Sequence, residues 1–229
     1  MWKHAARWFR WAGIFAVGVF SWLGTLHAET HEAWDFENVA IGGLPTGWQA
    51  EATNPKGRLE TWEVVVDLSA PSPDHVLAMT RPGESGLFGH RGGLFNLCWT
   101  RSAMFRDGRI QVRFKAVSGS EDQGGGIMWR VRDKDNYYVA RFNPLEDNFR
   151  LYSVHDGRRR TLAGARIALP AGKWHSMTIV QHGDHYAGYL NGKKLLEGES
   201  ALFPEAGGVG VWTKADAVTE FDDFSVSTR

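Results

Sequence analysis

GGGIMWRVRDKDNYYVARFNPLEDNFRLYSVHDG, residues 124–157, is the stretch on which the fold turns. Three runs of β-branched and aromatic residues alternate with polar ones. They are broken by the turn clusters Asp133-Lys134-Asp135-Asn136 and Pro144-Leu145-Glu146-Asp147-Asn148. The pattern predicts three consecutive antiparallel strands. With a four-residue first turn, Val131 opposes Tyr138, Trp129 opposes Ala140 and Ile127 opposes Phe142, which makes one apolar face. Met128, Arg130, Arg132, Tyr137, Val139, Arg141 and Asn143 then share the other face. In the third strand a one-residue slip would exchange the faces. Placing Phe149 and Leu151 on the apolar side avoids burying Arg150, and it sets Arg150 and Tyr152 beside Arg141.

Working outward, further strand patterns lie at 34–36, 61–67, 76–79, 108–117, 158–167, 174–182, 186–196, 208–213 and 220–227. A hairpin is expected across Gly183-Asp184, with a second turn at Asn191-Gly192. Five glycines in residues 83–93 are expected to form a mobile or sharply turning loop on the rim of a binding face. No segment keeps a helical period and no internal repeat is found. Ten or more short strands with glycine-rich turns indicate an all-β, two-sheet antiparallel sandwich.

At 229 residues and 43% hydrophobic content the chain can bury one sizeable core, so a single domain over 29–229 is expected. Residues 1–28 have the order of a secretory signal peptide, with Lys3, Arg7 and Arg10 ahead of an apolar run that ends before His27-Ala28, and cleavage is expected after Ala28. An uncleaved anchor is the alternative, although the run is shorter than the roughly 20 residues of a spanning helix. Cleavage would leave an exported, periplasmic or secreted protein with no membrane span. The whole chain is formally neutral, and loss of the leader leaves three more acidic than basic residues. That balance argues against a general nucleic-acid binder. Cys98 is the sole cysteine, so no intramolecular disulfide can form, and its apolar neighbours suggest a buried, inert thiol.

The candidate ligand face carries Arg130, Arg141, Asn143, Arg150 and Tyr152, joined by Trp212 and Lys214 from the GVWTK run. Guanidinium forks bind sugar hydroxyls or carboxylates in fixed geometry, and aromatic rings stack on pyranoses. The alternative is an ordinary solvated face laced with salt bridges, and Trp212 fits core packing equally well. Trp129 and Trp174 sit in apolar alternations that suit core filling. His175 reads as a hydrogen-bonded inward histidine. His182 and His185 bracket a turn, which does not bring two imidazoles round one ion. Gly124-Gly125-Gly126 precede no helix with the required Lys and Ser/Thr, so they are not a phosphate cradle.

GKWHSMTI followed by YAGYLNGKKLLEG resembles the paired strands of laminin G-like and concanavalin A-like lectin/glucanase domains. The 124–157 stretch and the closing GGVGVWTKADAVTEFDDFSV look like the bacterial exported branch of that superfamily, which is 3-keto-disaccharide hydrolase-like or family 16 glycoside hydrolase-like. The resemblance implies a concanavalin A-like jelly roll whose concave sheet engages a glycan or oligosaccharide. Catalytic members carry E-x-D-x-x-E on one strand. Here Glu220-Phe221-Asp222-Asp223-Phe224-Ser225 ends in serine, so the general acid is missing and a non-catalytic carbohydrate-binding module is expected. A saccharide hydrolase or lyase acting on a 3-keto-glycoside without that motif is the alternative. The terminal strands of such sandwiches are neighbours, which would let Asp35 and Glu37 meet Asp222 or Asp223 around a structural calcium ion.

Overall fold

The computed structural model describes residues 30–55, 57–81 and 93–229, and every regular element among them is a β-strand. The expected leader and all but the last residue of the 83–93 loop lie outside the described residues. In chain order the strands are β1 (Thr30–Trp34), β2 (Trp48–Thr53), β3 (Thr61–Val66), β4 (His75–Arg81), β5 (Phe95–Phe105), β6 (Gly108–Ser118), β7 (Gly125–Asp133), β8 (Asn136–Asn143), β9 (Asn148–His155), β10 (Arg158–Arg166), β11 (Trp174–His182), β12 (His185–Leu190), β13 (Lys193–Glu199), β14 (Gly207–Lys214) and β15 (Val218–Thr228).

They form two antiparallel sheets, as a jelly-roll sandwich requires. The eight-stranded sheet runs β13-β12-β11-β6-β15-β4-β3, with β1 also paired to β15. The seven-stranded sheet runs β10-β9-β8-β7-β14-β5-β2. Between them pack Trp62, Phe114, Trp129, Phe142, Phe149 and Phe221, all buried, as the alternation of these strands dictates. Each such side chain contributes roughly 1.5–3 kcal/mol.

The opening stretch forms β7, β8 and β9 in sequence, but β7 pairs in a different register from the expected one. Trp129 opposes Tyr138, Ile127 opposes Ala140 and Gly125 opposes Phe142. The connection is the pair Lys134-Asp135, tightened by Asp133 Oδ1, which accepts from the Asp135 amide at 2.8 Å. The difference is absorbed by a bulge between Trp129 and Asp133, where Arg130 takes a left-handed φ of 47°. After the bulge the faces exchange, so Val131 leaves the inter-sheet core and packs with Met128, Tyr137 and Val139 on the outer side.

That outer side is itself a second buried cluster, built from Phe95, Leu97, Tyr137, Tyr152, Val154 and Trp212 among others. The cause is curvature. Edge strand β2 stands four places from β8, which would separate them by roughly 19 Å in a flat sheet. Yet Thr53 at the end of β2 lies 2.9 Å from Tyr137 Oη on β8, and its hydroxyl also donates to the Lys134 carbonyl. Asn54 Nδ2 donates to the carbonyl of Gly157, in the β9–β10 turn, at 2.9 Å. The seven-stranded sheet is rolled at this end, and its concave side is filled with rings.

Candidate functional site

The period-two faces of β8 and β9 place Arg141 directly opposite Arg150, with Tyr152 two residues further along the same face. Asn143, Trp212 and Lys214 come to this concave side as well. The shared anchor is Asp122, which precedes β7 in a segment with no strand pattern. Its carboxylate accepts Arg141 Nη1 at 2.9 Å, Lys214 Nζ at 2.7 Å and Asn143 Nδ2 at 3.2 Å. Asp216 fixes that segment by accepting the backbone amides of Ser120, Glu121 and Asp122. Burial would raise the Asp216 carboxyl, but those amides and the Ser120 hydroxyl outweigh it and hold it at about 2.

Arg141 is 1% exposed and Asp122 is fully buried. Burial pushes Asp122 upward, and the charges of Arg141 and Lys214 pull it back. The other arm of Arg141 reaches Glu146 Oε2 at 2.7 Å and Asn148 Oδ1 at 3.2 Å. Burial of Glu146 is overcome by the Asn148 hydrogen bond and the Arg141 charge, so its carboxyl lies below its ordinary value and stays ionised.

From this network the site opens to solvent at Arg150 and Glu146, each with a side chain 43% exposed. They border a cavity of about 370 Å³ lined also by Asp147, Asn148, Gly164 and Arg166.

Tyr152 and Trp212 are almost wholly buried, so neither presents a ring for stacking. Arg159 already lies over them. Its Cζ is 4.3 Å from the Tyr152 ring centroid, 5.1 Å from that of Phe95 and 6.0 Å from that of Trp212. Arg159 was not among the residues expected here, although its place in the triplet Arg158-Arg159-Arg160 gives it the inward alternation that a strand requires.

Arg130 does not join the strip. Its bulged backbone carries the guanidinium into the end of the sandwich, where it donates to the carbonyls of Arg106 at 2.8 Å, Phe203 at 2.8 Å and Gly183 at 2.7 Å. Trp129 fills the core, as its alternation suggests. Trp174 instead stays partly exposed on β11 against Lys115, with its Nε1 directed to Asp67. His175 is buried, with Nε2 against the Pro170 carbonyl at 3.0 Å.

Asp35, Glu37, Asp222 and Asp223 gather near β15, but Asp35 and Glu37 follow β1 rather than lying on it. Phe36 between them turns at φ 63°, so they do not share a strand face. Asp35, Glu37 and Asp222 accept hydrogen bonds within the protein, while burial and the neighbouring charge of Asp222 raise the carboxyl of Asp223. Asp222 holds the amide and hydroxyl of Ser72, and Glu37 Oε1 accepts the amides of Asp74 and His75. Among the described residues no group of three or more His, Cys, Asp or Glu is arranged to hold a metal ion. Glu220, which opens the near match to the catalytic motif, bonds Lys115 at 2.6 Å on the eight-stranded sheet, away from the arginine strip.

Solved structures with this fold include a carbohydrate-binding module, CBM66, from Bacillus subtilis. It has a TM-score of 0.60 and 19% identity over 79% of this chain and 95% of the module. A Bacillus licheniformis β-glucanase gives 0.54 and 12% over 87% and 98%. The exoplasmic/lumenal domain of VIP36, in a Ca2+/Man-bound form, gives 0.55 and 13% over 85% and 88%. At these identities the likeness is one of fold. No curated protein sequence matches the chain. Residues 44–226 match the 3-keto-alpha-glucoside-1,2-lyase-like domain, which takes in β2 to β14 and most of β15, and the chain belongs to that family.

Proposed function

We propose that this chain is an exported carbohydrate-binding module that takes a glycan on the concave side of its seven-stranded sheet, along Arg150, Glu146, Asn148 and Arg166. The observation that carries this reading is the polar cavity of about 370 Å³ beside a buried ionic network that fixes its wall. Guanidinium donors and carboxylate and amide acceptors held at set positions suit the paired hydroxyls of a sugar. The fold of a carbohydrate-binding module, shared over most of the chain, agrees with it. Export rests on the basic and apolar order of residues 1–28.

A second reading, lyase or hydrolase action on a 3-keto-glycoside, is favoured by the family. Elimination from such a sugar needs a base for the proton beside the ketone. The strip offers Asp122, whose oxygens are taken by cations, and Glu146, whose pKa lies below the ordinary carboxylate value. Both are poorly suited to the task, which is why binding is preferred.

Titration calorimetry against a panel of oligosaccharides, with chromatography of the mixtures afterwards, tests the two readings together. Binding without product, weakened at least ~10-fold in Arg150→Ala, is expected, a change worth about 1.4 kcal/mol. Release of product from a 3-keto-glycoside would replace this reading with the enzymatic one.

A further inference from the structure

The outer face of the eight-stranded sheet plays no part in the site described above, and it carries a connected line of cavities. Register sets a row of side chains across six strands: Glu197 on β13, Ala187 on β12, Val180 on β11, Arg109 on β6, Ser227 on β15 and His31 on β1. Their chain neighbours Ile179, Ile110 and Val226 fill the core, so the row points away from it. Six strands side by side span roughly 24 Å. Three cavities lie along the row, of about 400, 280 and 340 Å³. Val180 and His182 line both the first and the second, and the His31 Nδ1–Ser227 Oγ contact at 3.0 Å joins the second to the third.

The floor holds the small or aliphatic residues Ala33, Val180 and Ala187, and the charges beside it offset one another. Lys194 pairs with Glu197, and His185 lies 3.9 Å from Glu199. Arg109 and Arg229 in one cavity are matched by Asp35 and Asp223 in the next. With neither sign dominant, the face is suited to an uncharged ligand. Gln111 is held by its Oε1, which accepts from Arg109 Nη2 at 2.9 Å and Thr178 Oγ1 at 3.4 Å, so its amide donors are left over. A protein partner would want large apolar or aromatic anchors at the centre of its contact. The large apolar side chains that stand exposed among the described residues, such as Ile41, Leu68 and Leu145, line none of these cavities.

We propose that this trough is a second saccharide site, which takes a linear, uncharged polysaccharide chain laid across the strands. Sugar hydroxyls both donate and accept, as the mixed amide, hydroxyl and carboxylate lining does, and their C–H faces suit a floor of small apolar groups. The trough and the Arg150 cavity lie on opposite sheets, so the second site stands or falls independently of the first.

The test is calorimetry on the full chain with neutral gluco-, manno- and xylo-oligosaccharides, from the disaccharide to the hexasaccharide. In at least one series affinity is expected to rise at least ~10-fold with length, since a disaccharide fills only part of the trough. Gln111→Ala should weaken hexasaccharide binding about 10-fold. Val180→Trp, which fills the junction of two cavities, should abolish the gain with length, and Arg150→Ala should leave that gain intact. A melting curve for each variant establishes that it is folded. No gain with length in any series, or a gain unchanged in both folded trough variants, overturns the proposal and leaves the Arg150 reading standing. Loss of the gain in Arg150→Ala moves the long chain to the other sheet and overturns it too. Tighter binding of a polyuronate than of every neutral chain overturns the assignment to an uncharged ligand. A dimer in sedimentation that Val180→Trp splits, with no saccharide bound, assigns the trough to a second copy of the chain instead.

Discussion

Arg141 and Asp122 form an ion pair at 2.9 Å in which neither side chain exposes more than 1% of its surface. Its partners are spread over β8, β14 and the segment before β7, so one carboxylate ties three parts of the concave sheet. Asp122→Ala would leave Arg141 short of a partner and Lys214 without one, and a loss of about 3–5 kcal/mol is expected in urea unfolding. A loss under about 1 kcal/mol would show that the network does not hold the wall of the site.

Glu60, just ahead of β3, gives stability a dependence on pH. Its side chain is buried and neither oxygen completes a hydrogen bond, so burial pushes its pKa up to about 7 against weak opposition from the backbone of Glu60 and Leu97 and from Trp62. The folded protein then holds a proton that the unfolded chain releases near its ordinary value of 4.5. Stability contributed by this group therefore falls as pH rises from 4.5 to about 7 and is level above. Glu60→Gln should flatten that slope and stabilise the protein at pH 8 by as much as about 3 kcal/mol. Denaturant titrations across this range decide it, and parallel curves for the two proteins would refute the assignment.

Arg130 binds three backbone carbonyls from three different turns. Arg130→Met keeps the apolar stem and strands those carbonyls, at roughly 1–3 kcal/mol for each one left buried without a donor. A marked drop in Tm is expected, with saccharide affinity unchanged in the protein that remains folded. Loss of affinity with no change in Tm would return Arg130 to the ligand face.

Asp35, Glu37 and Asp222 near β15 already accept protein donors, so a chelator should leave Tm unmoved and added calcium should not raise it. A calcium-dependent rise in scanning fluorimetry would assign an ion to that corner.

The grouping of Arg141, Arg150 and Tyr152 was legible because strand alternation is a local property, and Phe149 and Leu151 fix its phase. The Arg130 bulge was not legible. A left-handed backbone is common for glycine or asparagine, and nothing about an arginine announces it. Strand β5 escaped notice for another reason. Phe95 to Thr100 is buried on both faces, since the rolled sheet covers one side and the sandwich the other, and a strand buried twice loses its alternation. The burial of Tyr152 and Trp212 depends on Thr53 meeting Tyr137 across the curl, a contact 84 residues apart that no window of sequence contains. Asp122 lies in a short turn-like stretch, where no periodicity marks one acid from the next.

The position of β15 bears on how the protein assembles. It lies in the middle of the eight-stranded sheet, joined to β1, β4 and β6, yet it follows all of them in the chain. Until it arrives, that sheet is in pieces, β13-β12-β11-β6, β4-β3 and an unpaired β1, with β6 and β4 each presenting a bare edge. Pairings so distant in sequence are slow to form. A polypeptide still being made therefore cannot complete this sheet until residues 218–228 emerge, and their docking is the event that commits the sandwich to closure.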